Sequence, residues 1–145
     1  MRGVFMGRFF DRLQPFALLV LRLVLGAALI SASWHKVIPH GGLHGNNLFS
    51  AIEKWNHYVM TLGMPAWLGT ISALVEFLGG FCILLGLLTR LFGALVTITL
   101  IVGIAKVTYP AYDASKYPLA IGVLALIAAA FGAGMLSLDR RLGIE

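Results

Sequence analysis

Four long apolar segments make up most of the chain, and nearly all charged residues lie outside them. An α-helix rises about 1.5 Å per residue, so about 20 apolar residues cross a hydrocarbon core about 30 Å thick. Three segments reach that length, and the third does so if the Lys106 ammonium extends to the membrane interface. The pattern predicts an all-α membrane protein, a bundle of four transmembrane helices at residues 16–36, 66–88, 91–108 and 117–137.

Only the loop between the first two spans, residues 37–65, has room for further structure. A Gly/Asn-rich turn comes first, and a segment within residues 47–62 then shows helical periodicity. Aromatic rings prefer headgroup depth, so Trp55 and Tyr58 favour a short amphipathic helix lying at the membrane interface. A helix that binds a partner protein would show the same pattern. The apolar residues on its shared face are Leu48, Ile52, Trp55, Val59 and Leu62.

Prolines and short linkers predict how the spans connect. Proline is tolerated in the first turn of a helix, so Pro15, Pro65 and Pro118 predict the starts of the first, second and fourth spans. The linker of residues 86–90 is so short that the second and third spans must form an antiparallel hairpin. The short segment 108–116 returns the fourth span beside the third.

Composition agrees with a membrane location. Hydrophobic residues make up 59% of the chain and charged residues 12%, whereas soluble domains carry about a quarter charged residues. The 145 residues suffice for a single domain, residues 1–145, with little outside the bilayer. The net charge of +5 does not indicate nucleic-acid binding, because the cations lie at the ends of the spans and form no basic stripe.

The positions of the arginines predict the orientation. Cytoplasmic loops are enriched in Lys and Arg, so arginines before the first span, in the hairpin and after the last span place both termini in the cytoplasm. The opposite orientation has only lysines to support it. A cleavable signal peptide is the alternative for the first segment, but Arg22 interrupts the apolar run, which favours a retained helix. The arginines are Arg2, Arg8, Arg12, Arg90, Arg140 and Arg141, and the lysines are Lys36, Lys54, Lys106 and Lys116.

Charged residues inside the spans predict a polar cluster formed by Arg22, Glu76, Lys106 and Lys36. An unpaired ion in lipid costs several kcal/mol, so these side chains must face the bundle. Glu76 precedes Arg90 in the predicted hairpin by nearly as many residues as Lys106 follows it. At the rise of an α-helix, the two residues then lie within about 3 Å of each other along the bundle axis, which predicts a Glu76–Lys106 pair. Arg22 competes for the same carboxylate. The cluster serves either to fix helix register or to bind a quinone headgroup, a proton or a small solute.

Histidines and cysteine give weaker indications. His35, His40, His44 and His57 fall on the predicted outer side, where a folded loop would let them bind haem or a pigment. No thiolate or carboxylate joins them in a known ligand pattern, so no metal site is predicted. Cys82 is the one cysteine, which excludes an internal dithiol cycle.

Several short motifs, in order from about residue 16 to 141, resemble the DoxX family. That resemblance implies a four-helix protein of the bacterial plasma (inner) membrane with both termini cytoplasmic. It also implies a link to membrane redox systems, which include thiosulfate oxidation that passes electrons to quinone and thiol-linked oxidative-stress complexes. The motifs are Leu21-Arg22-Leu23 with Gly26, Leu62-Gly63-Met64-Pro65, Glu76 with Gly79-Gly80, Leu85-Gly86-Leu87-Leu88-Thr89-Arg90, and Gly132-Ala133-Gly134 before Ser137-Leu138-Asp139.

The chain departs from the family pattern at the outer end of the bundle. Relatives often have His and Gly where this chain has Ala32 and Ser33, and many have Glu near the position of Lys116. The sequence therefore favours a non-catalytic accessory subunit that contacts lipid and other membrane subunits of a redox complex. The alternative is an oxidoreductase subunit with its own quinone site, and a small-solute transporter is a distant third.

Overall fold

A computed structural model describes residues 2–39, 49–108, 112–132 and 134. Within these ranges the protein consists of helices alone, and four of them are long and apolar enough to cross a membrane. The helices are α1 (Arg2–Val37), α2 (Phe49–Thr61), α3 (Ala66–Leu85), α4 (Thr89–Gly103), which continues as a π-helix (Ile104–Thr108), and α5 (Tyr112–Phe131). The predicted four-span architecture and the short helix α2 are confirmed.

Helices α1 and α3 pack antiparallel and very closely, because both carry glycine at the contact. A Cβ on Gly26 would lie 2.8 Å from the carbonyl oxygen of Gly80, and a Cβ on Gly80 would lie 2.9 Å from Ile30 Cγ1. Such small-residue contacts are typical of membrane helices, whose backbones approach through them. This close contact sets the register of α1 against α3, in which Gly26 faces Leu84 and Gly80 faces Ile30.

A tight turn joins α3 to α4. Gly86 takes the left-handed conformation (φ 70°), and the Leu87 amide donates to the Cys82 carbonyl at 2.8 Å, which closes the end of α3. The two helices are in contact near this turn, where Gly79 lies against Phe92 and Val96. We call this the hairpin end of the bundle, and the opposite end, where α2 lies, the α2 end.

The core lies between α1, α3, α4 and α5, and large apolar side chains on the outside face the lipid. Helix α4 approaches α5 at Gly93, where an added Cβ would lie 2.9 Å from the Ala125 carbonyl oxygen. The buried residues of the core are Leu25, Leu29, Ile83, Val96, Ile121, Ala125 and Ala128.

Some predicted boundaries were wrong. Pro15 and Pro118 lie inside α1 and α5, not at their starts, since each helix extends further toward its N-terminus than the apolar segment does. Membrane helices tolerate such prolines because neighbouring groups satisfy the freed carbonyls. Helix α5 ends at Phe131, six residues before the predicted end, because Gly132 adopts a left-handed conformation (φ 74°).

Candidate functional site

An ion pair joins the last turn of α1 to the middle of α3. Lys36 Nζ lies 2.5 Å from Glu76 Oε2, and the side chains are 21% and 7% exposed. Glu76 faces inward because it shares a helical face with Gly69, Ala73 and Gly80, all of which are buried. An ammonium has three N–H donors, so the bond to Glu76 leaves Lys36 with donors for a second partner.

Helix α2 covers this ion pair through Trp55. The Lys36 ammonium lies 4.4 Å from the centroid of the Trp55 ring, a cation–π distance. The Trp55 indole N–H donates to Ser72 Oγ at 3.1 Å, and Ser72 donates to the Gly69 carbonyl at 2.8 Å. The indole is thereby held in place over the lysine.

A second polar contact fixes α2 on α3. The Asn56 side-chain amide donates to Thr70 Oγ1 at 2.8 Å, and the Thr70 hydroxyl lies 3.2 Å from Asn56 Oδ1. Gly69 permits this approach, because a Cβ there would lie only 2.5 Å from Asn56 Oδ1. Trp55 therefore belongs to a helix that two neighbouring side-chain contacts hold on α3.

An apolar cavity of about 390 Å³ opens beside the ion pair, between α3 and α4 at the α2 end. Lys36 and Glu76 form its polar floor, with Ser72 and Thr99 nearby, and Trp55 and Val59 of α2 form its roof. Its volume and its few convergent polar groups are typical of sites for small organic ligands. The lateral walls are Leu68, Ile71, Val75, Leu95, Ile98, Leu100 and Val102.

The cavity faces the lipid. Ile71 of α3 is 48% exposed and Ile98 of α4 is 60% exposed, although both line it. Exposed isoleucines on membrane-spanning helices contact hydrocarbon. A lipophilic molecule can therefore enter sideways from the bilayer and bring a polar head to Lys36 and Glu76.

The predicted Glu76–Lys106 pair does not form. Lys106 is exposed and lies in the π-helical segment, whose wider turn changes the direction in which a side chain points. Arg22 is buried, but the α1–α3 register places it level with about residue 88, about 18 Å along the axis from Glu76. Of the four predicted cluster residues, the structure brings together Lys36 and Glu76.

The predicted histidine site is not assembled by the described residues. His35 and His57 are exposed on α1 and α2, and His40 and His44 lie outside the described residues. The described part of the chain has no group of three His, Cys, Asp or Glu side chains placed to hold a metal. Sequence reasoning missed Ser72, although its position four residues before Glu76 was an available signal.

Comparison with known proteins identifies relatives. The profile of the DoxX family matches residues 17–109, which include Lys36, Trp55 and Glu76. A Bacillus subtilis (strain 168) protein named "Putative oxidoreductase CatD" is 27% identical over 99 residues, which cover 67% of this chain and 74% of that protein. No solved structure matches the chain significantly.

Proposed function

Because the chain belongs to the DoxX family, we propose that it is a membrane component of a redox system and binds the headgroup of a lipophilic quinone. One observation carries the proposal: the Lys36–Glu76 pair lies on the floor of an apolar cavity whose walls face the lipid. The name of the Bacillus subtilis relative supports the redox class. Membership of the DoxX family supports a bacterial plasma-membrane location. The arginine distribution supports an orientation with both termini, and therefore the hairpin end, in the cytoplasm.

Each polar residue of the floor has a defined role in this proposal. A bound quinone supplies two-electron, two-proton chemistry. The Lys36 ammonium donates a hydrogen bond to a carbonyl oxygen of the headgroup while it keeps its bond to Glu76. The Glu76 carboxylate holds the ammonium in place and is the proton-accepting group nearest to it. The Trp55 ring and the aliphatic walls exclude water from the headgroup.

Electrons come from another protein in this scheme, because neither an ammonium nor a carboxylate carries them. The chain is then an accessory subunit in one sense: it supplies the quinone pocket, and a partner subunit supplies the electron carrier.

Quenching of tryptophan fluorescence tests the proposal. The chain has three tryptophans, of which Trp55 lines the cavity, whereas Trp67 points outward and is 60% exposed. In a variant that retains only Trp55, a short-chain quinone should quench the fluorescence saturably, and Glu76→Gln should weaken the binding. A variant that retains only Trp67 should show only the linear quenching of a lipid-exposed indole.

Lys106→Gln is the control for loss of a charge outside the cavity, because Lys106 is exposed and does not line the cavity. Its affinity for the quinone should equal that of the parent. Linear, unsaturable quenching of Trp55, or equal weakening by Glu76→Gln and Lys106→Gln, would refute the quinone site.

A further inference from the structure

A second cleft, of about 380 Å³, lies between the C-terminal end of α1 and the facing side of α2. Lys36 and Trp55 line this cleft as well as the apolar cavity, so they form the partition between the two. The other residues that line it are Ala32, His35, Pro39, Ser50, Ala51, Lys54 and Tyr58.

The cleft is suited to an anion. Among its described lining residues none is acidic, and Glu76, which offsets the charge of Lys36, lies on the other side of the partition. Lys54 therefore adds a positive charge that no lining residue balances. The hydroxyls of Ser50 and Tyr58 are further hydrogen-bond donors. Phosphate oxygens accept bonds from such a combination of ammonium and hydroxyl groups.

The position of the cleft favours the phosphate of a lipid. Trp55 and Tyr58, whose ring centroids lie 5.5 Å apart, mark the depth of the membrane interface. The side of α1 that runs from the cleft toward the hairpin end carries the exposed Ala32 and Ser31 and then the half-buried Ala28. The Ser31 hydroxyl is satisfied by the Ala28 carbonyl at 2.9 Å, so this face offers a shallow, nonpolar path for an acyl chain.

We propose that the second cleft binds the phosphate group of an anionic phospholipid, with Lys54 as the main cationic contact and the acyl chain along α1. The attraction between a lysine at the membrane surface and an anionic headgroup supplies the binding energy. The bound phosphate lies beside Lys36 and Trp55 and so stabilises the roof of the neighbouring cavity. The site can be tested apart from the quinone proposal, since its main cationic contact, Lys54, does not line the apolar cavity and its ligand is different.

Native mass spectrometry of the full chain in a mild detergent tests this site. Phosphatidylglycerol and phosphatidylcholine are titrated against the parent, Lys54→Met and Lys116→Met. Lys116 is the matched control, because it is an exposed lysine on α5 that does not line the cleft. Lys54 is exposed as well, so both variants should fold, which their melting temperatures check.

The parent should retain phosphatidylglycerol in preference to phosphatidylcholine, and Lys54→Met should weaken that binding about fivefold. Lys116→Met should bind like the parent. Displacement by inorganic phosphate would show that the cleft takes free phosphate too, whereas resistance to it would show that the acyl chain is required. Equal binding of the two lipids, or equal losses in both lysine variants, would overturn the proposal.

Discussion

Lys36 and Glu76 are 40 positions apart in the sequence, yet Lys36 Nζ and Glu76 Oε2 lie 2.5 Å apart. This pair ties the end of α1 to the middle of α3, and Trp55 of α2 covers it. Three helices therefore meet at one partly buried contact, which is also the floor of the lipid-facing cavity. The structural contribution of the pair can be tested separately from the ligand-binding role that we propose for it.

Removing one partner of the pair should destabilise the bundle, because the other charge is then left unpaired in an apolar site. Glu76→Ala should lower the free energy of unfolding by about 3 kcal/mol, and Lys36→Ala should act in the same direction. Glu76→Gln should cost less, since its amide oxygen still accepts a bond from Lys36. Unfolding in mixed micelles measures these differences.

Lys106→Ala is the control for this series, because the structure places Lys106 at the surface. It should leave stability near that of the parent. If Lys106→Ala proved as damaging as Lys36→Ala, Glu76 would pair with Lys106 and the observed contact would be wrong.

A double substitution separates packing from function. Lys36→Met combined with Glu76→Leu should recover most of the stability lost in Glu76→Ala, because apolar residues of similar volume can replace a buried ion pair. The same variant should lose saturable quinone binding, since the cavity floor no longer offers a donor. Retention of full affinity in this stable variant would show that the pair serves only packing.

The α1–α3 contact should not tolerate a side chain at Gly26. The added methyl of Gly26→Ala would meet Leu84 Cβ at 2.7 Å and the Gly80 carbonyl oxygen at 2.8 Å, so the helices must separate. We expect a loss of about 1 to 3 kcal/mol in the free energy of unfolding. Gly122→Ala on α5 is the control, because its nearest neighbour would lie at an ordinary 3.8 Å. Equal effects of the two substitutions would contradict the close approach of α1 and α3 at Gly26.

The hairpin end and α2 should lie on opposite sides of the membrane. In a chain without Cys82, cysteines at Thr61 and Leu88, both exposed, should react with a membrane-impermeant thiol reagent from opposite sides. The arginine distribution predicts that Thr61→Cys reacts in intact cells and that Leu88→Cys reacts only after permeabilisation. Labelling of both positions in intact cells would exclude this topology.

Hydropathy made the spans and α2 predictable, because both follow from local periodicity and length. Boundaries were less predictable where a helix continued past its apolar segment, as at Pro15 and Pro118. The partner of Glu76 could not be found by counting residues along the axis. Lys106 has the expected depth, but its side chain is exposed, and only the tertiary register brings Lys36 to the carboxylate.

Photo-crosslinking with an azido-quinone, followed by peptide mapping, tests the quinone pocket most directly. We expect labels on the facing walls of the cavity, at Ile71 or Val75 of α3 and at Leu95 or Ile98 of α4. An excess of unmodified quinone should suppress them, and Glu76→Gln should reduce them. Labels that are spread over the lipid-exposed residues of α1 and α5 and are unaffected by competing quinone would contradict a quinone pocket between α3 and α4.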